Sequence, residues 1–263
     1  MSQPQLLDTK TMDSMRTIVE QTDETPDSRY ILEEYFEKKP AINGDMVIDP
    51  DADSDSALAA FVIANRSFEV LGTNAVTASV AWDSTNAGLL LSTAGADDDQ
   101  VIIAPHLDTN QSAWQVIKWG TENQTEWTAA IKIGAAITTE AIWAGLKLTN
   151  TPVIATDADQ VYFRYNTDDE YTTWHVISSI KGTDTDTTTA VTVAIDTPYK
   201  FQIKIGADRT AKCYINDVLV YTTAALKNDI DLIPYVGLMS LDADTSVSTL
   251  ILNYEKISRI LFE

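Results

Sequence analysis

The sequence predicts an all-β fold: a two-sheet antiparallel sandwich preceded by an N-terminal arm with a short helix. Three observations carry this. Apolar residues alternate with polar ones, as in KFQIKIGADRTAKCYINDVLV at 200–220, where Phe201, Ile203, Ile205, Ala211, Cys213 and Ile215 share one phase. Similar runs, rich in Val, Ile, Thr, Tyr and Trp, recur from residue 46 onward, with Gly, Asn, Asp and Pro clusters between them at short spacing. A chain of 263 residues that is 44% hydrophobic has enough apolar material for one large β core.

The first 45 residues read differently. Asp8-Thr9 caps a helix predicted over 9–22, with Met12, Met15, Val19 and Ile18 on one face. Asp23-Glu24-Thr25-Pro26-Asp27 reads as a linker. RYILEEYFEKKP then places Ile31, Tyr35 and Phe36 among charges. So short an amphipathic helix is marginal alone and needs a surface to pack on. That surface is either the chain's own domain or a partner. The predicted organisation is an arm over 1–45 and a sandwich over 46–263.

Strands are predicted at 60–71, 76–82, 88–92, 100–104, 113–119, 126–133, 141–148 and 160–165. They continue at 173–179, 189–194, 199–205, 211–215, 218–222, 235–240 and 247–257. Residues 150–159 and 181–187 read as polar loops. In 200–220, Gly206-Ala207-Asp208-Arg209 and Asn216-Asp217 read as turns. No internal repeat of fixed period is present.

Composition excludes some partners. With 18 Lys and Arg against 39 Asp and Glu, the net charge is -21. Such a chain repels nucleic acid and anionic membrane surfaces. Cys213, the one cysteine, lies on the apolar phase of its strand and reads as a small buried hydrophobe. No basic-then-apolar leader is visible, and no apolar run approaches a membrane span.

Asp49, Asp51, Asp53 and Asp55 alternate as in a calcium loop. The template's required Gly and Glu positions hold Ser54 and Ala60, or Ser56 and Val62, so the motif fails. Acidic clusters at 97–99, 157–159, 168–170, 184–186, 229–231 and 242–244 read as solvated turns. His106 and His175 are the two histidines, too few for zinc catalysis or a Ser/His/Asp set. The Glu-x-Asp-x-x-Glu strand motif of sandwich glycanases is absent, although carboxylates on separate strands could still converge. No catalytic residue, metal ligand or cofactor is therefore assigned. Among the aromatics, Trp119, Tyr171 and Trp174 lie nearest turns and form the candidate ligand face.

Three segments carry a family resemblance: WAGLKLTNTPVIATDADQVYFRY, IDTPYKFQIKIGADRTAKCYINDVLVYTT and LKNDIDLIPYVGLMS. They resemble β-sandwich structural proteins of tailed bacteriophages, whose fold is similar to the laminin-G or concanavalin A jelly roll. The resemblance runs from about Phe61 to Leu261 and leaves the arm outside. It implies a virion protein without catalytic activity. The leading expectation is a capsid decoration or cement protein on the outer head, made in the host cytoplasm. Its partners would be the major capsid protein and neighbouring copies of itself, as in a trimer. Met12, Met15, Val19, Tyr35 and Phe36 would be the capsid-contacting residues of the arm. The alternative is a carbohydrate-binding adhesin domain of a tail fibre or spike; an endoglycanase ranks third.

Overall fold

The computed structural model describes residues 15–20, 29–36, 47–48, 69–75, 77–104, 119–241 and 247–261. The described strands are, in order, β1 (Met15–Glu20), β2 (Arg29–Glu34), β3 (Val47–Ile48), β4 (Glu69–Leu71), β5 (Val80–Asp83) and β6 (Gly88–Ser92). Then come β7 (Gln100–Ala104), β8 (Trp119–Gly120), β9 (Glu126–Ile133), β10 (Glu140–Lys147), β11 (Gln160–Asn166) and β12 (Thr173–Ile180). The last six are β13 (Thr183–Thr192), β14 (Pro198–Ile205), β15 (Thr210–Ile215), β16 (Val218–Ala225), β17 (Asp231–Ser240) and β18 (Thr249–Ile260).

They form two sheets, and the fold is the predicted jelly-roll sandwich. The front sheet runs β1-β2-β18-β9-β14-β15-β16, with β6 also on β18 and β5 on β6. The back sheet runs β13-β12-β11-β10-β17-β7-β4-β3, with β8 also on β17. Every pairing is antiparallel except β3 with β4. Strand β18 organises the front sheet. One of its edges pairs with β9, with a bulge at Asn253. Its other edge pairs with β6 through its first half and with β2 through its second.

The two inner faces meet in one core. Phe163 of β11 stacks on Phe201 of β14 at 4.6 Å, and Trp174 of β12 meets Phe201 edge-on at 4.7 Å. Cys213 is buried there, as its phase predicts. A second apolar cluster, with Trp143, Tyr162, Ile177 and Tyr235, lies on the other face of the back sheet. Strands β10 and β17 are therefore buried on both faces, and their sequences show long apolar runs instead of alternation.

Two expectations are corrected. Residues 15–20 form strand β1, not part of a helix; the rest of the predicted helix lies outside the described residues. Its sequence MRTIVE carries three consecutive β-branched residues, which pack better on a pleated strand than on a helix. It pairs with β2 from Met15↔Glu34 to Glu20↔Arg29, and that ladder outweighs the three- and four-residue spacing. Residues 183–187, expected in a loop, belong to β13. Threonine suits a strand whether its face is wet or dry, and β13 is a largely exposed edge strand. Lys181-Gly182, both with positive φ (52° and 76°), supply the tight turn that pairs it with β12.

Candidate functional site

Alternation decides what the front sheet shows to solvent. On β14, Tyr199, Phe201, Ile203 and Ile205 point inward, so Lys200, Gln202 and Lys204 point outward. On β9 the outward residues are Glu126, Thr128, Ala130 and Lys132. The bulge in β18 shifts its phase so that Tyr254, Lys256 and Ser258 join them. Register then fixes rows across the face: Lys200–Ala130–Tyr254, Gln202–Thr128–Lys256 and Lys204–Glu126–Ser258.

These rows floor a cleft of about 410 Å³, with Tyr35 at its rim. That volume lies within the range of small-ligand sites, roughly 300–1,000 Å³. Tyr35 is 51% exposed, and its ring lies 5.0 Å from that of Tyr254. Both hydroxyls donate to Oε1 of Glu33, at 3.1 Å from Tyr35 and 2.7 Å from Tyr254. Burial, with the Glu33 carboxylate, pushes the Tyr254 hydroxyl well above the usual phenol range, so it stays protonated and donating. Glu126 is 3.5 Å from the guanidinium of Arg29. Lys200 pairs with Asp217 at 2.7 Å. Tyrosine rings, amide and hydroxyl groups, three ammonium groups and one carboxylate thus line one open surface.

The structure scatters the residues singled out from sequence. Trp119 and Trp174 are a correction: both are buried core side chains and present no ligand face. Trp174 points inward because His175, its neighbour on β12, points outward. Tyr171 is half-buried in a separate cluster on the back sheet. Its ring stacks on His175 at 3.5 Å, and its hydroxyl donates to Asp186, which also holds His175 Nδ1 at 2.6 Å. Burial and the Asp186 carboxylate push the Tyr171 hydroxyl well above the usual phenol range, so it stays protonated. Arg164 joins the cluster by donating to the Tyr171 hydroxyl at 3.4 Å, and it pairs with Asp169 at 2.6 Å.

Of the arm residues, Met12 lies outside the described residues. Met15 and Val19 stand opposite Glu34 and Tyr30 in the β1–β2 ladder. Tyr35 stands on the cleft rim. Phe36 is fully buried in the main core, so its ring packs inside this chain.

Several acidic residues expected in solvated turns do structural work instead. Asp99 is buried and accepts from Asn74 and the Ala96 amide, each at 2.6 Å. Buried Asp157 pairs with Lys147 at 3.0 Å. Asp159 accepts from the Lys181 amide at 3.1 Å and so anchors the turn before β13. Among the described residues, no group of three or more His, Cys, Asp or Glu side chains is placed to hold a metal. The cleft itself was missed in the sequence reading. Its signal was present, in the alternating Lys200-x-Gln202-x-Lys204 and the solvent phase of 254–258.

No protein-family model matches the chain, and no curated protein matches it in sequence. Solved structures resemble it in fold. A protein of unknown function from Shewanella oneidensis MR-1 aligns over 99% of this chain and 98% of its own length, with TM-score 0.58 and 10% identity. The alginate lyase AlyC3 aligns over 70% of this chain and 80% of its own, with TM-score 0.50 and 8% identity. The likeness is one of fold. At such identities no residue role passes from one chain to the other.

Proposed function

We propose that this chain is a carbohydrate-binding β-sandwich that holds a saccharide in the front-sheet cleft without cleaving it. The observation that carries this reading is the Tyr35–Tyr254 pair above a floor of hydroxyl, amide and ammonium groups. Tyrosine rings offer an apolar face for stacking on a sugar ring, while their hydroxyls and the polar floor match the sugar's hydroxyl groups. The cleft is shallow and built on three adjacent strands, which hold the floor side chains in fixed rows. Two carboxylates facing each other across a scissile bond are the usual means of glycoside cleavage. Here Glu126 is ion-paired to Arg29, and Glu33 accepts from both tyrosines, so neither is poised as a proton donor.

Attachment to a phage head, with the major capsid protein as partner, rests on the sequence resemblance and on no feature of this cleft. Of the adhesin alternative, the cleft supports the carbohydrate-binding part; a tail fibre or spike rests on the sequence resemblance as well. The test is affinity electrophoresis of the full chain through gels holding a panel of neutral and acidic polysaccharides. Retardation by one class, lost in Tyr35→Ala, is the expected result. That substitution removes a half-exposed ring and leaves the core intact. Unaltered migration in every gel would sink the reading, and release of reducing ends on long incubation would overturn its non-catalytic part.

A further inference from the structure

The charge pattern of the cleft narrows its ligand. The chain has 39 carboxylate side chains against 18 Lys and Arg, so carboxylates are at hand for any lysine that needs one. Yet Lys204, Lys212 and Lys256 make no ion pair with any described residue. Lys204 stands directly opposite Lys212 in the β14–β15 ladder. Like charges in that relation repel and weaken the pairing of their strands. Lys204 has two partial reliefs, the Tyr214 ring 5.5 Å away and Glu126 opposite it on β9, which pairs with Arg29 instead. Lys256 lies in the row with Gln202 and Thr128, one strand beyond β9. Lys256 stands opposite Glu33 on β2, whose Oε1 accepts from Tyr35 and Tyr254, and Glu126 faces Arg29; three lysines, Lys200, Lys204 and Lys256, line the cleft against one carboxylate, Glu126. The face therefore keeps a local excess of positive charge on a molecule of opposite overall sign.

We infer that the saccharide is acidic, a carboxylate- or sulfate-bearing chain whose anionic groups sit between Lys204 and Lys256. This rests on the carbohydrate reading above and specifies its ligand class. The opposed lysines are tolerated because a bound anion relieves their repulsion. Alternate residues on a strand lie about 7 Å apart and neighbouring strands about 4.8 Å apart. The ammonium groups thus form a two-dimensional array, suited to a polymer carrying repeated charges. The remote carboxylates oppose approach, but at about 0.15 M salt their field is screened beyond about 8 Å while contacts in the cleft persist.

The experiment is titration calorimetry of the full chain with oligogalacturonate, a sulfated dextran and unmodified dextran, at about 0.15 M and about 1 M salt. Lys204→Gln and Lys256→Gln are measured alongside; both side chains lie on the outer face. The expected result is binding of an acidic polymer, no binding of dextran, and loss of binding at the higher salt. Each variant should weaken binding about tenfold, as for loss of one charge-assisted hydrogen bond. Binding of oligogalacturonate alone assigns carboxylate, binding of sulfated dextran alone assigns sulfate, and binding of both assigns charge; each upholds the inference. Dextran bound as tightly as the acidic polymers and without salt dependence overturns it, while the carbohydrate reading stands. Acidic polymers bound equally by both variants also overturn it, since the site would lie elsewhere. Binding of none of the three overturns the inference, and the electrophoretic panel then decides the carbohydrate reading itself.

Discussion

Glu255 and Glu34 are direct partners across the β18–β2 ladder, and both carboxyl side chains are buried. Oε1 of Glu255 accepts from Trp127 Nε1 at 3.0 Å, and Oε1 of Glu34 accepts from the Phe36 amide at 2.7 Å. Burial pushes the Glu255 carboxyl up to about 7, with the Trp127 hydrogen bond opposing. Burial likewise pushes Glu140 up to about 8, against a hydrogen bond with Ser248. An acid whose folded value lies above its unfolded one binds more protons in the native state. Its contribution is fully present below the unfolded value and is lost as pH rises through the folded one. Stability should therefore fall between about pH 4.5 and 8, with Glu255 accounting for about 3 kcal/mol. Repulsion in a chain of net charge -21 has the same sign, so the test needs a variant. Glu255→Gln keeps an acceptor for Trp127 and cannot ionise. Thermal melts should show it more stable than the wild type at pH 8.5 and no more stable at pH 4.5. A constant difference at both pH values would refute the assignment.

Residues 29–36 carry sandwich structure. Strand β2 covers the second half of the β18 edge, and Leu32 and Phe36 belong to the main core. Phe36 adopts a positive φ of 48°, unusual for a bulky residue, and the Glu34 carboxylate caps its amide there. Phe36→Ala should cost about 3–5 kcal/mol, as for other buried phenylalanines. Removing residues 1–36 should do more, since it strips β18 of a partner strand. The truncated chain is expected to bind a hydrophobic dye and to lose sharp thermal unfolding. A truncated chain that melts as cooperatively as the whole would show that β2 is dispensable.

Lys147 and Asp157 form a buried ion pair at the back sheet, at 3.0 Å, with both side chains almost wholly inaccessible. Lys147 also bonds to Gln160 Oε1, and its ammonium lies 4.3 Å from the centroid of the Tyr162 ring. Burial pulls the lysine below its ordinary range, while the Asp157 charge holds it up. Removing one partner leaves an uncompensated buried charge. Asp157→Ala should destabilise by about 3–5 kcal/mol in chemical denaturation, and Lys147→Met by less, because the Asp157 carboxylate it strands still accepts from the Thr149 amide and hydroxyl. Equal losses from the two would mean that the Thr149 hydrogen bonds do nothing to compensate the stranded carboxylate.

How much of this was legible in the sequence depends on which signals were local. Strands with one wet face, such as β9, β14 and β15, announce themselves by alternation, and the turns at Asp208-Arg209 and Asn216-Asp217 by their residue types. Strand β1 misled because MRTIVE fits helical spacing as well as a strand, and its partner β2 lies across a linker. The cleft was harder still. It gathers residues from positions 35, 126–128, 200–204 and 254–258, and only the register of β18 against β9, offset by the bulge at Asn253, brings them to one face. The burial of Trp119 and Trp174 was undecidable from nearness to a turn, since which face a strand residue takes depends on where the partner sheet lies.

Gly237 faces Trp143 directly across the β10–β17 ladder, and the indole lies over it. A Cβ at Gly237 would run into the six-membered ring of that indole. The glycine is thus a fitted absence: it gives a large aromatic ring room on the sheet's outer face, and the ring in turn covers backbone that glycine leaves bare. Gly145, the adjacent case on β10, has φ +149°, and a Cβ there would come within 2.6 Å of Tyr162 Cα. Gly237→Ala should therefore force Trp143 out of its rotamer and cost about 1–3 kcal/mol, the usual range for overpacking. The paired substitution Gly237→Ala with Trp143→Leu shortens the side chain that obstructs the new methyl. It should cost less than the sum of the two single changes, and a double-mutant cycle in denaturant measures the difference. Strict additivity would mean that the two residues do not contend for the same space.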